Sequence, residues 1–287
     1  MKACITGPVM KRRTVAWASA LALALALALA GVGASLPLAT AQEVSDQDVL
    51  KALTTEHPRD RAARRGLEYL RRAQGPEGLF GDKFPVAVSG LAVMAHFAAG
   101  HILEDAKYGP ALRRAVETVL TRQDENGYFG RSDDSNMYGH GITTLMLAEA
   151  IGMTRDNELE DKLRHALERA VRVTVNAARV HKQAGHEGGW RYQPDQADSD
   201  LSLSGWQLLS LHAAQQVAIP VPEEVPKAAV AYAKRLTTPE GRVGYSSRGE
   251  DRPALRGLAL LCFAIGREEG GPAARAVTAR ILSDPIK

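Results

Sequence analysis

Two short stretches, Gly78-Leu79-Phe80 and Gly90-Leu91-Ala92, decide the fold of this chain because both recur along its 287 residues. The first is a glycine followed closely by an aromatic residue, and the second is a glycine inside an apolar run. The other copies of the first are Gly127-Tyr128-Phe129, Gly188-Gly189-Trp190 and Gly241-Arg242-Val243-Gly244-Tyr245. Those of the second are Gly141-Ile142-Thr143, Gly205-Trp206-Gln207 and Gly257-Leu258-Ala259. Four copies in a constant order indicate a repeat protein.

The segments between these stretches predict two kinds of helix. One kind carries a single apolar stripe, as in residues 163–171, where Leu163, Leu167 and Ala170 fall on one face. A stripe of this kind predicts a surface helix with one buried side. The other kind is apolar nearly all round and is therefore expected to be surrounded by protein. It covers 86–99, 142–151, 201–214 and 255–265.

The alternation of the two kinds predicts an all-α fold of helical hairpins, with amphipathic helices outside and apolar helices inside. A single hairpin cannot bury its own apolar surface and must stack on its neighbours. We expect an α/α toroid that is incomplete, with about four hairpins plus flanking helices, in a repeat domain at 60–287. A lead-in helix is expected at 42–59. Residues 45–54 and 272–282 are expected to cap the two ends.

The loop motif resembles a known repeat. Gly66 and Leu70, then Gln74, then Gly78-Leu79-Phe80 are similar to the Gln–Trp repeat of the terpenoid cyclase and protein prenyltransferase superfamily, which includes squalene–hopene cyclase. Leu120, Gln123 and Gly127-Tyr128-Phe129 match again, and Trp190 supplies the tryptophan in the third copy. The resemblance spans roughly residues 60–266 and implies the α/α-toroid fold.

The N-terminal 41 residues have the layout of a secretory signal peptide. Lys11, Arg12 and Arg13 precede a long apolar stretch, and Ala39-Thr40-Ala41 forms a small-x-small cleavage site. We expect cleavage after residue 41, an exported protein in the periplasm or outside the cell, and no stable membrane span after cleavage. A retained membrane anchor is the alternative, because the apolar stretch is long for a signal peptide.

The charge balance and the cysteine content bear on which ligands and which covalent links to expect. The net charge of +3 becomes −1 once Lys2 and the three basic residues at 11–13 are removed, which leaves 32 basic against 33 acidic residues. Nothing in this balance indicates binding to nucleic acid. Cys262 is the single cysteine after the signal peptide, so we expect no internal disulfide. A place in the packed core explains it better than a zinc site, and we expect no metal and no cofactor.

The loop at 181–200 is longer than its counterparts and rich in polar and aromatic residues. Asp198-Ser199-Asp200-Leu201 lies where class II terpene cyclases have their catalytic Asp-x-Asp-Asp acid, but Leu201 replaces the last acid. The resemblance implies Asp198 and Asp200 as candidate catalytic residues. Helix capping is the alternative for each of these acids. The same loop offers candidate ligand-binding residues, which are His186, Trp190, Arg191 and Tyr192.

The loop at 131–140 suggests a different chemistry. Tyr138 and His140 are candidate catalytic bases of a polysaccharide lyase, which removes the proton beside a uronate carboxylate. Arg131 would neutralise that carboxylate. Asp133 and Asp134 are further candidate ligand-binding residues in this loop, again with helix capping as the alternative.

Weighing these patterns, we favour a non-catalytic binding or interaction module, because no complete catalytic set is visible and repeat scaffolds present extended surfaces. The expected partner is a protein, a lipid or a glycan. An isoprenoid-handling enzyme, similar to squalene cyclases or prenyltransferases, is the first alternative, and a polysaccharide lyase is the second.

Overall fold

The structure is a computed structural model that describes residues 57–284. The predicted signal peptide and nearly all of the predicted lead-in segment lie outside these residues. Every regular element in the described part is a helix, which confirms the all-α prediction. The helices are α1 (Pro58–Ala73), α2 (Pro85–Ala98), α3 (Gly109–Leu120), α4 (Asn136–Ile151), α5 (Asn157–Ala178), α6 (Leu201–Gln216), α7 (Glu224–Arg235), α8 (Pro253–Ile265) and α9 (Pro272–Ser283).

Helix α5 illustrates how the outer helices form. Asp156 precedes it, and its Oδ1 accepts hydrogen bonds from the backbone N–H groups of Glu158 and Leu159, which closes the first turn. Leu163 and Leu167 are fully buried on its inner face. The stripe predicted from the sequence therefore packs on the core while the charged side chains face water.

The helices lie in two layers, and contacts follow chain order. The inner helices α2, α4, α6 and α8 form one row in which each contacts the next. The outer helices α1 and α3 pack on α2, α5 packs on α4 and α6, α7 on α6 and α8, and α9 on α8. In chain order, the described helices thus form four outer–inner pairs followed by one further outer helix. Closure of the hairpins into a toroid stays a prediction.

The glycines that mark the inner helices permit close contact between successive helices. A Cβ atom on Gly90 would lie 3.1 Å from Ile142 Cγ2, and one on Gly205 would lie 2.5 Å from Leu258 Cδ1. A side chain at either position would push the neighbouring helix away. The spacing of the row therefore depends on these glycines.

In its first two copies, the loop motif links one outer helix to the next. Gln123 Nε2 donates to the carbonyl of Gly127, 3.0 Å away in its own loop, and to Ala166 on α5, 2.8 Å away. Gln74 makes the same pair of bonds, to Gly78 and to Ala111 on α3, both at 2.7 Å. These are the residues that carry the resemblance to the Gln–Trp repeat. Their position in the structure shows that the motif tethers one outer helix, its loop and the next outer helix.

The aromatic position of the repeat differs from the sequence reading in the fourth copy. Phe80, Phe129 and Trp190 are buried to 2% exposure or less, each two residues after a loop glycine with positive φ. In the fourth loop, Val243 takes that core position and is fully buried. Tyr245, which we had matched to the aromatics, lies two residues beyond it and is only partly buried. The Tyr245 ring therefore does not fill the core position of the repeat.

Candidate functional site

Four side chains, from one helix and two loops, meet where the inner helices begin. Arg191 and Tyr192 come from the loop before α6, Tyr138 from the first turn of α4, and Tyr245 from the loop before α8. We call these four residues the Arg191–tyrosine cluster. Functional residues often lie in loops that a rigid scaffold positions. The cluster is therefore the leading candidate site in the described chain.

Arg191 is the centre of the cluster. Its Nη1 donates to Asp200 Oδ2 at 2.6 Å and to Tyr245 Oη at 3.1 Å, and its Nε lies 3.1 Å from Asp198 Oδ2. Its Cζ is 4.6 Å from the centre of the Tyr192 ring. A guanidinium with several fixed partners has little freedom left, so the position of Arg191 in the cluster is fixed.

Asp200 has no free carboxylate oxygen. It is fully buried at the N-terminus of α6, where Oδ1 accepts a 2.8 Å hydrogen bond from the Leu203 N–H while Oδ2 binds Arg191. Burial is the largest influence and opposes the charge on Arg191, but the hydrogen bonds to Asp200 and Tyr245 and the attraction of the Asp200 carboxylate together outweigh it, so the pKa of Arg191 lies above its ordinary value. Asp200 therefore caps helix α6, as the alternative interpretation of this residue predicts. Asp198 is more exposed, at 39% of its side chain, and binds Arg191 from the solvent side.

The tyrosines present a partly exposed aromatic surface. The rings of Tyr138 and Tyr192 lie 5.9 Å apart, centre to centre, and the hydroxyls of Tyr192 and Tyr245 are 3.4 Å apart. Tyr138 donates from its hydroxyl to Ser202 Oγ at 2.8 Å. Burial raises the pKa of Tyr138 and of Tyr245 above the ordinary tyrosine value. Both hydroxyls therefore stay protonated at neutral pH and act as hydrogen-bond donors and acceptors.

His140, predicted as a candidate base, lies in the core. It precedes Gly141 as Ser89 precedes Gly90 and Ser204 precedes Gly205. Ser89 Oγ accepts a hydrogen bond from the Phe80 N–H, Ser204 Oγ from Trp190, and His140 Nδ1 from Phe129 at 3.4 Å. The position is thus a repeated acceptor for the loop backbone.

The other nitrogen of His140 is also bound. Nε2 lies 3.1 Å from the carbonyl of Ala170, which can only accept, so the neutral Nε2–H tautomer satisfies both contacts. Burial lowers the pKa of His140 to about 4. At neutral pH the ring is therefore uncharged and fully engaged in packing.

The remaining predicted site residues lie outside the cluster. Asp133 Oδ2 accepts from the Val86 N–H at 2.9 Å and so caps α2, the inner helix of the preceding hairpin. Trp190 is buried, and its indole N–H donates to Thr174 on α5. His186 Nδ1 accepts from the Ser199 N–H and ties the third loop together. Arg131 and Asp134 are exposed, and Arg131 pairs with Asp124 at 3.5 Å.

Sequence reasoning placed Arg191 and Tyr192 in the site but missed Tyr245. Its signal was present, since Tyr245 is two residues too far from Gly241 to match Phe80 or Phe129 in their loops. In the part of the chain that the structure describes, no group of three or more His, Cys, Asp or Glu side chains is arranged to hold a metal ion.

No protein-family model and no curated protein sequence matches this chain. The resemblance to the Gln–Trp repeat thus depends on the motif residues themselves. Among residues 57–284, no helix combines the length and the apolar character needed to cross a membrane.

Proposed function

We propose that this chain is an exported, non-catalytic binding module of the α/α-toroid type, and that the Arg191–tyrosine cluster is its binding surface. One observation carries the proposal. The groups that would perform chemistry, Asp200 and His140, have their polar atoms engaged within the protein. The tyrosine rings of the cluster, by contrast, keep accessible surface, with Tyr192 at 37% exposure.

The same contacts weigh against the two enzymatic alternatives. An isoprenoid cyclase needs a carboxyl group that is free to protonate its substrate, but Asp200 is buried and both of its carboxylate oxygens accept hydrogen bonds from Arg191 and the Leu203 N–H. A polysaccharide lyase needs a base, but the raised pKa of Tyr138 keeps its proton in place and His140 is inaccessible.

The chemistry of the cluster favours a neutral oligosaccharide as the ligand. Aromatic rings offer flat apolar faces for a sugar ring, and Arg191 and Asp198 offer a donor and an acceptor for its hydroxyl groups. Arg191 with its two carboxylates carries a net charge of −1, which does not attract an acidic glycan.

Isothermal titration tests the proposal on the protein purified from cells that express the whole chain. Neutral oligosaccharides (cello-, xylo- and chito-oligosaccharides) are compared with oligogalacturonate. We expect binding of a neutral series, weakened about tenfold or more, or ~1.4 kcal/mol, by Tyr192→Ala. Tyr69→Ala is the matched control, because Tyr69 is an exposed tyrosine on α1, outside the cluster.

Three results would contradict the proposal. If no neutral series binds, a neutral oligosaccharide is not the ligand. If Tyr192→Ala binds as tightly as the wild type, the Arg191–tyrosine cluster is not the binding site. Release of unsaturated product from oligogalacturonate would establish the lyase alternative instead.

A further inference from the structure

Successive inner helices pack through one repeated contact. The residue that directly follows the repeat glycine of one helix fills the space over the repeat glycine of the helix before it. Ile142 lies in this way over Gly90, and Leu258 over Gly205. Trp206, whose Cβ would be 3.2 Å from a Cβ on Gly141, does the same together with its neighbour Gln207.

At the two ends of the row, one repeat glycine has no side chain packed over it, and one apolar residue has no glycine to pack on. No described atom lies within 4 Å of a Cβ placed on Gly257, the repeat glycine of α8. At the other end of the row, Leu91 directly follows Gly90 on α2 and is 43% exposed. Its counterpart Ile142 is only 7% exposed. The first inner helix therefore carries the filling residue, and the last carries the gap.

The exposed apolar side chains are concentrated at the same two ends. Tyr69, Phe84 and Leu91 belong to the first hairpin, and Leu261 and Leu282 to the last two helices. Of the large apolar side chains that are exposed in the described part, only Tyr192 of the Arg191–tyrosine cluster lies elsewhere. Exposed apolar surface of this kind indicates an interaction site.

We propose that a second copy of this chain docks head to tail, with Leu91 of one copy over Gly257 of the other. The contact would continue the existing interface, because α8 of one copy would meet α2 of the next as α6 meets α8 within the chain. Repeat proteins gain much of their stability from such nearest-neighbour interfaces. A head-to-tail contact is heterologous, so it builds a closed ring or an open filament.

Disulfide cross-linking tests the orientation. Leu91→Cys and Gly257→Cys are made in separate chains that also carry Cys4→Ser. Cys262 can stay, because it is buried and its pKa is raised to about 12 by burial, which suppresses the reactive thiolate. With diamide as oxidant, we expect a covalent dimer when the two variants are mixed and none when either is alone. A single chain with Gly205→Cys and Leu258→Cys calibrates the same contact within the molecule.

Sedimentation of the wild-type chain and of a single-substitution variant tests the strength of self-association. Gly257→Leu fills the gap, so we expect at least about a tenfold rise in the dissociation constant for self-association. A Cβ at position 257 has open space around it, and leucine is a better helix former than glycine, so the thermal unfolding of the monomer is expected to be undiminished. Gly152→Leu is the control, because Gly152 is an exposed glycine with negative φ at the end of α4, away from both ends of the row, and a Cβ on it would meet only Glu149 O at 3.6 Å. It should associate like the wild type.

Two outcomes would overturn the proposal. One is a wild-type chain that remains monomeric up to its solubility limit, as expected if another segment of the chain covers Leu91 or Gly257. The other is a covalent dimer of Leu91→Cys alone or of Gly257→Cys alone, which would show that like ends meet.

Discussion

His140 makes the stability of this protein depend on pH in a way that can be calculated. Its pKa is about 4 in the folded chain and about 6.5 when unfolded. Between pH 6.5 and 4, His140 is therefore protonated in the unfolded chain but largely neutral in the folded chain. The folded state loses stability as pH falls towards 4. Above pH 6.5 the contribution of His140 to stability is complete.

The magnitude follows from the distance between the two pKa values. Each unit corresponds to about 1.4 kcal/mol, so the full loss is about 3 kcal/mol, of which about 2 kcal/mol is lost by pH 5. Protonation of Nδ1 would also remove the acceptor of the Phe129 N–H. Because a small domain has a net stability of only ~5–15 kcal/mol, this loss is readily measurable.

Urea unfolding of the wild type and of His140→Gln at pH 8, 7, 6 and 5 tests the calculation. Glutamine keeps a donor and an acceptor but cannot titrate, so subtraction removes the pH dependence of all other groups. We expect the wild type to lose about 2 kcal/mol relative to the variant between pH 8 and pH 5. A constant difference across this range would refute the reasoning, because it would mean that His140 is protonated as easily in the folded chain as in the unfolded one.

Three further predictions concern the contacts that hold the hairpins and the site. Gly127→Ala should lower the free energy of unfolding by more than about 2 kcal/mol, because its φ is positive and a Cβ would lie 2.6 Å from a backbone oxygen. Gly100 also has a positive φ but has open space around it in the described structure, so Gly100→Ala should lower it by only about 1 kcal/mol. Arg191→Ala should lower the free energy of unfolding by about 3 kcal/mol because the buried carboxylate of Asp200 loses its partner, and adding Asp200→Asn should restore part of that loss. Gln123→Ala should cost about 1–2 kcal/mol, because two carbonyls lose their donor. Chemical denaturation measures all three, and equal costs for the two glycines, or no recovery in the double variant, would contradict the respective contacts.

The sequence by itself determined the elements and their order. The glycine–aromatic stretches, the apolar stripes and the all-round apolar segments predicted the alternation of outer and inner helices, because burial of apolar surface acts on local periodicity. Gln74 and Gln123 were recognisable as motif residues through the resemblance to the Gln–Trp repeat. The candidate loop that holds Arg191 and Tyr192 was recognisable from its length and composition.

Only the tertiary structure decided which side chains meet. Asp133 lies in the loop before α4 but caps α2, and Tyr245 leaves the core position to Val243 and reaches Arg191, 54 residues away in the chain. His140 reads as a possible base in the sequence, yet its place beside Phe129 and Ala170 gives it the role of a core acceptor. These outcomes depend on how loops of unequal length stack on their neighbours, which local periodicity does not encode. The physical reason is that a polar side chain acquires its partner, its burial and its pKa from the packed neighbours that folding brings to it.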